Sequence, residues 1–340
     1  MKILIYALTL ALSCCATGTV RAQEQSPGSL LVLSKHDQTL AIVDPTTLKV
    51  VAKVPVGNDP HEVIASADGS KAYVSNYGFG AYHTLAVVDL LEHKALPTVD
   101  LGALSGPHGL TFVGGKVWFT AEGAKVIGRY DPGLQRIDWI LGTGQNRTHM
   151  IYVAPDGQRI VTSNVSSGTL SIIWHEATRR SSPSADGLGA GNDWNETVVR
   201  VGNGSEGFDV SGDGKEIWVA NAQDGTISIV DAKAKVLQTV DANVRGANRL
   251  KFTPDGRYAL VSMLRSLDLV ILDTHTRREV KRVPIGHGAA GIVMQPDGSR
   301  AFVSCTPDNY VTAIDLSSLT VVGRIEAGQE PDGLAWAIRR

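Results

Sequence analysis

The sequence predicts an all-β fold, a seven-bladed β-propeller, and three observations carry that prediction. An apolar stretch ending in a polar residue, as in Leu40-Ala41-Ile42-Val43-Asp44, returns at Asp89, Asp131, Trp174, Asp231, Asp273 and Asp315, in steps of 45, 42, 43, 57, 42 and 42 residues. A tight turn of the Pro-Asp-Gly type keeps the same step at Asp68, Asp156, Asp213, Asp255 and Asp297. Each unit divides into four short runs rich in Val, Ile, Leu and Thr, with no sustained helical period. A unit this small cannot bury its own apolar face. The units must therefore stack, and four-stranded units at this spacing suit propeller blades.

The elements follow in chain order. Residues 1–22 read as a secretory signal peptide: Lys2, an apolar run from Ile3 to about Ala16, then Val20-Arg21-Ala22 before a cut at Gln23. Lipid anchoring at Cys14 or Cys15 is the alternative. Residues 23–29 form a short tail and 30–338 the propeller. Residues 30–33 match the second strand of a blade and 332–336 a first strand. The closing blade is thus expected to join three N-terminal strands to one C-terminal strand, which removes free sheet edges. In the sixth unit the strands are expected at 248–252, 258–262, 267–272 and 279–285. The long step places a polar, Gly- and Ser-rich loop at 175–196, between the third and fourth strands of its blade, with Trp194 as an anchor.

Composition narrows the class. A formal net charge of −2 over 340 residues offers no basic excess for nucleic acid, and no apolar run after the N-terminus is long enough to span a bilayer. With Cys14 and Cys15 in the signal segment, Cys305 is left without an intrachain partner and reads as a small buried hydrophobe. The expectation is a periplasmic or secreted monomer. The turn aspartates read as structural, capping nearby backbone N–H groups.

Tyr73-Val74-Ser75-Asn76, Ile160-Val161-Thr162-Ser163-Asn164 and Ile217-Trp218-Val219-Ala220-Asn221, each followed by a run such as Thr226-Ile227-Ser228-Ile229-Val230-Asp231, resemble the YVTN-repeat family of seven-bladed propellers. The resemblance covers the chain from Leu30 onward. It implies an exported or surface propeller without a shared reaction. One blade, with Gly106-Pro107-His108-Gly109-Leu110 and Val117-Trp118-Phe119-Thr120-Ala121-Glu122, also resembles a repeat of streptogramin lyases, which implies a divalent metal held with His and Glu.

One set of residues points to chemistry. The position beginning each inner strand is, around the ring, Asp332, His61, His108, His149, Glu206, Asn248 and Ala290. Radial blades bring these to one channel mouth. Three imidazoles with flanking carboxylates suit a divalent transition metal on His61, His108, His149, Glu206 and Asp332. His108, His149 and Glu206 are the catalytic candidates, for a metal-dependent lyase or lactonase or for general-base chemistry without metal. The same residues equally fit a hydrated pore mouth. Arg147, Asn248, Arg249 and His287 are ligand-binding candidates. His36, Asn76, Tyr77, His83, Glu122, Asp224, Arg265 and Asp308 stand in upper-face loops. No Gly-x-Ser-x-Gly elbow, Cys-x-x-Cys pair or phosphate loop is present. Three readings stay open: an exported binder of a small molecule, metal ion or protein; a metal-dependent enzyme; and a structural envelope module.

Overall fold

The computed structural model describes residues 28–177 and 192–338, which form seven antiparallel four-stranded sheets. The expected signal peptide, Cys14 and Cys15 lie outside the described residues. Blade I joins the C-terminal strand Pro331–Ile338 to Gly28–Ser34, Thr39–Asp44 and Lys49–Pro55, in that spatial order. The closing blade is therefore assembled from both chain ends. The inner strands of blades II to VII are Pro60–Ala65, Pro107–Val113, Thr148–Val153, Ser205–Val210, Ala247–Phe252 and Ala289–Met294. No described helix is long and apolar enough to cross a membrane.

Both sequence markers are turn fasteners. At the end of the third strand, Asp44, Asp89, Asp131, Asp273 and Asp315 each accept backbone N–H groups two and three residues ahead, or three ahead, which closes the hairpin to the fourth strand. Asp68, Asp156, Asp213, Asp255 and Asp297 accept the N–H two residues ahead in the turn between the first two strands. Trp174 cannot make the first kind of turn, and there the hairpin runs on. The strands Thr169–Ala177 and Asn192–Arg200 stay paired out to Ala177 opposite Asn192. The ends of the expected 175–196 loop are thus strand. Trp194 pairs with His175 and packs 5.2 Å from Trp139, so it is a strand residue. The sixth-unit strands match expectation to within a residue or two, at Ala247–Phe252, Tyr258–Met263, Asp268–Asp273 and Arg278–Pro284.

The core lies between blades. Leu31, Leu33 and Ile42 of blade I pack with Val63, Val74 and Val88 of blade II, all essentially inaccessible. Near the axis the sheets also lock through polar contacts. Ser75, Thr120, Ser163, Ser262 and Ser304 occupy the third position of the Tyr-Val-Thr-Asn-like tetrad. Each donates its hydroxyl hydrogen to the carbonyl of the next blade's channel residue, respectively His108, His149, Glu206, Ala290 and Asp332, at 2.6 to 3.0 Å. A β-bulge in the inner strand frees an N–H that the same oxygen accepts, as from Gly109 to Thr120 and from Arg249 to Ser262. Each such buried bond contributes about 1 kcal/mol net. The approach is close enough to require glycine. A Cβ on Gly109 would meet the His149 carbonyl oxygen at 2.6 Å, and one on Gly207 the Asn248 carbonyl oxygen at 2.5 Å. Cys305 stands where other blades place Asn. It is fully buried, its thiol donates to the Ile285 carbonyl at 3.5 Å, and burial pushes its pKa up to about 11.

Candidate functional site

The second residues of all seven inner strands line one cavity of about 330 Å³ at the channel mouth: Asp332, His61, His108, His149, Glu206, Asn248 and Ala290. Two further rings of equivalent positions build its rim. The residue before each inner strand is Asp59, Gly106, Arg147, Gly204, Gly246, Gly288 or Glu330, and every one has positive φ. The residue after each second strand is Lys35, Tyr77, Glu122, Val165, Ala222, Leu264 or Thr306. In all seven blades its N–H donates to the carbonyl of the positive-φ residue. This bond seats one rim loop on the other and sets the side chains of both around the opening.

The imidazoles form a contiguous arc. Ring centroids lie 4.6 Å apart for His61 and His108 and 3.7 Å apart for His108 and His149. Tyr77 packs behind them, 4.9 Å from His61 and 5.1 Å from His108. The His149 Nδ1–H donates to Glu122 at 2.5 Å, and Glu122 also accepts the Tyr77 hydroxyl hydrogen at 2.5 Å. On its other side, His149 Nε2 faces Glu206 Oε1 at 3.4 Å as a charge contact without hydrogen-bond geometry. Glu206 in turn accepts from Asn248 at 3.0 Å. At the opposite end, Lys35 donates to Asp332 at 2.8 Å and stands 3.4 Å from His61 Nε2.

Electrostatics divide the two central imidazoles. Burial drives His108 well below the ordinary histidine value, and the neighbouring His149, His61 and Arg249 push the same way. It is neutral, and both its ring nitrogens are buried without a hydrogen-bond partner. Burial also opposes charge on His149, but Glu122 and Glu206 outweigh it and hold His149 above the ordinary value. For Glu206, burial alone would raise the pKa. The contacts with His149 and the charges of Arg249 and Arg147 win, bringing it to about 2. Asp332 is likewise lowered: His61, Lys35 and Arg249 overcome its burial.

The floor is an ion pair. Arg249 of blade VI bonds to Glu62 of blade II, so the contact reaches from one side of the ring to the other below the mouth. Both side chains are nearly inaccessible. Arg249 also donates to the Asn248 carbonyl and side-chain oxygens at 3.1 Å.

Several expectations need correction. Among the described residues no group of three or more His, Cys, Asp or Glu side chains is arranged to hold a metal ion. Some of the donors expected to share a metal are engaged otherwise: Glu122 takes His149 Nδ1, and the Lys35 ammonium bonds to Asp332 and stands 3.4 Å from His61 Nε2, while both His108 nitrogens, His61 Nδ1 and His149 Nε2 are without hydrogen-bond partners. The residues present do not fit a transition-metal centre. Arg249 lies within an inner strand and is buried there. His287 is exposed, bonds to Asp308 at 3.0 Å and does not line the cavity. Arg147, Asn248 and Arg249 do line it. Lys35, Glu62 and Phe79 escaped sequence reasoning. For Lys35 the signal was available, since it directly follows the tetrad position, as Tyr77 and Glu122 do.

No protein-family model matches the chain, and no curated protein does. Among solved structures, the fold is similar to that of a candidate 6-phosphogluconolactonase from Bacteroides fragilis, at 17% identity and a TM-score of 0.72 over 93% of this chain and 99% of that one. It is also similar to hydrazine synthase from Kuenenia stuttgartiensis, at 19% identity and a TM-score of 0.68 over 89% and 99% of the two chains. A third likeness is to the dihydro-heme d1 dehydrogenase NirN in complex with DHE, at 16% identity and a TM-score of 0.60 over 94% and 77%. At these identities the likenesses show the propeller fold and carry no activity across.

Proposed function

We propose that this chain is an exported propeller that binds a small molecule in the channel-mouth cavity. The observation that carries the reading is the pair of unpartnered ring nitrogens on fully buried His108, beside the likewise unpartnered Nδ1 of His61. Buried polar atoms normally have partners, and a polar cavity that leaves them open is suited to a ligand that supplies them. Neutral imidazole offers one donor and one acceptor, so hydroxyl, carbonyl and carboxylate groups all match it. His108 lines a cavity of about 330 Å³, a volume that suits a small ligand.

A second reading rests on the contrast between His108 and His149. Adjacent groups with opposed protonation states are arranged for proton transfer. A lactone held against them would meet His149, held toward its proton-donating form by Glu122 and Glu206, and a proton acceptor, neutral His108. The fold likeness to a candidate lactonase agrees with this choice of substrate.

Calorimetric titration with sugar lactones, sugar phosphates and small organic acids tests both readings. At least one class is expected to bind wild type, and the combined His61→Ala, His108→Ala, His149→Ala variant is expected to lose that binding. Spectra of the recovered ligand then separate binding from turnover. Equal affinity in wild type and variant would remove the mouth as the site.

A further inference from the structure

The ligand's chemical class follows from two rim residues, and this inference rests on the binding reading above. Phe79 and Arg147 both line the cavity, and both hold the left-handed backbone conformation, at φ 51° and 58°. Non-glycine residues adopt it at a cost, and such strain persists where a site needs a particular side chain. Four blades satisfy the Arg147 position with glycine: Gly106, Gly204, Gly246 and Gly288. The backbone therefore does not call for arginine there. The Arg147 side chain is 41% exposed, and its Nε stands 3.6 Å from Glu122, a loose charge contact. Its planar fork remains suited to a second oxyanion.

Phe79 is the apolar counterpart. At 90% exposure it is the most accessible large hydrophobic side chain among the described residues, with its ring 6.1 Å from Tyr77. Leu264, 46% exposed, lines the same cavity, as does Pro307. Accessible apolar groups gathered at the mouth of a polar cavity mark a surface that a ligand covers.

We infer that the mouth takes an organic anion with an apolar, ring-bearing arm: its oxyanion pairs with Arg147, and its arm lies against Phe79. Titration of the full chain with 2-naphthoate, acetate and neutral glucono-δ-lactone tests this. Covering a phenyl ring makes naphthoate bind at least about tenfold tighter than acetate. Phe79→Ala is expected to erase that advantage and leave acetate unchanged. Arg147→Gly, which suits the local backbone, is expected to weaken both anions about tenfold while the fold persists. Naphthoate binding no tighter than acetate, or Phe79→Ala without effect, overturns the inference. Heat from the lactone with silence from both anions overturns the ligand class alone. Silence from all three, and from sugar phosphates as well, takes the binding reading down with it.

Discussion

Deletion of residues 331–340 is expected to abolish cooperative folding. That segment supplies the inner strand of blade I, and Leu30, Leu31, Val32 and Leu33, all at 0% exposure, pair with or pack beneath it. The strand also packs between the inner strands of blades II and VII, so its loss opens the ring at the axis. A domain's whole margin is about 5–15 kcal/mol, and exposing a blade's apolar face together with two interblade seams is comparable with all of it. Urea unfolding followed by tryptophan fluorescence should show one transition in the full chain and no native baseline in the truncated one. A peptide of residues 331–340 added in excess should restore the transition. A truncated chain that unfolds at the full-length midpoint would mean that closure contributes nothing to stability.

The second large effect is expected at the channel floor. Arg249→Met leaves the Glu62 carboxylate buried and unpaired, which costs about 3–5 kcal/mol. Burial disfavours the Arg249 charge, yet Glu62, Asp332 and Glu206 together hold its pKa above the ordinary arginine value, so the surroundings demand a cation at this point. Replacing both partners, as Glu62→Leu with Arg249→Met, should recover most of the loss, because an apolar pair of similar volume needs no compensation. The comparison is made from urea midpoints at constant slope. If the single and double variants were equally destabilised, packing around Arg249 would matter and the ion pair would not.

The fold was legible in the sequence because both markers are local devices. Asp44 and its equivalents close one hairpin and Asp68 and its equivalents another, so their spacing reports the blade directly. The loop expected at 175–196 begins later and ends earlier than that, because Trp174 replaces that Asp and the strands run on to Ala177 and back from Asn192; residues 178–191 lie outside the described residues. The mouth set was legible for a related reason, since equal blades place equal positions at one radius. What lay below the mouth was not. Strict alternation along a strand would turn Glu62 and Arg249 away from their neighbours His61 and Asn248. The bulge between Pro60 and Val63, and its counterpart between Ala247 and Leu250, breaks that alternation. The metal expectation counted donors and left out two competitors. Lys35 sits within reach of His61 and Asp332, and Glu122 claims His149. Strain was equally hidden, since a positive φ at Phe79 or Arg147 leaves no mark in composition.

The mouth imidazoles are held ready for a ligand, with Glu122 and Glu206 favouring the charged form of His149 and burial keeping His108 neutral. Nitrogen NMR of histidine-labelled protein at pH 7, with and without 2-naphthoate, tests it most directly. The free protein should show one doubly protonated buried ring, His149, beside one neutral buried ring, His108. Ligand should shift His61, His108 and His149 while His36, His83, His93, His175, His275 and His287 stay in place. Identical protonation of His108 and His149, or ligand shifts confined to the other six, would contradict it.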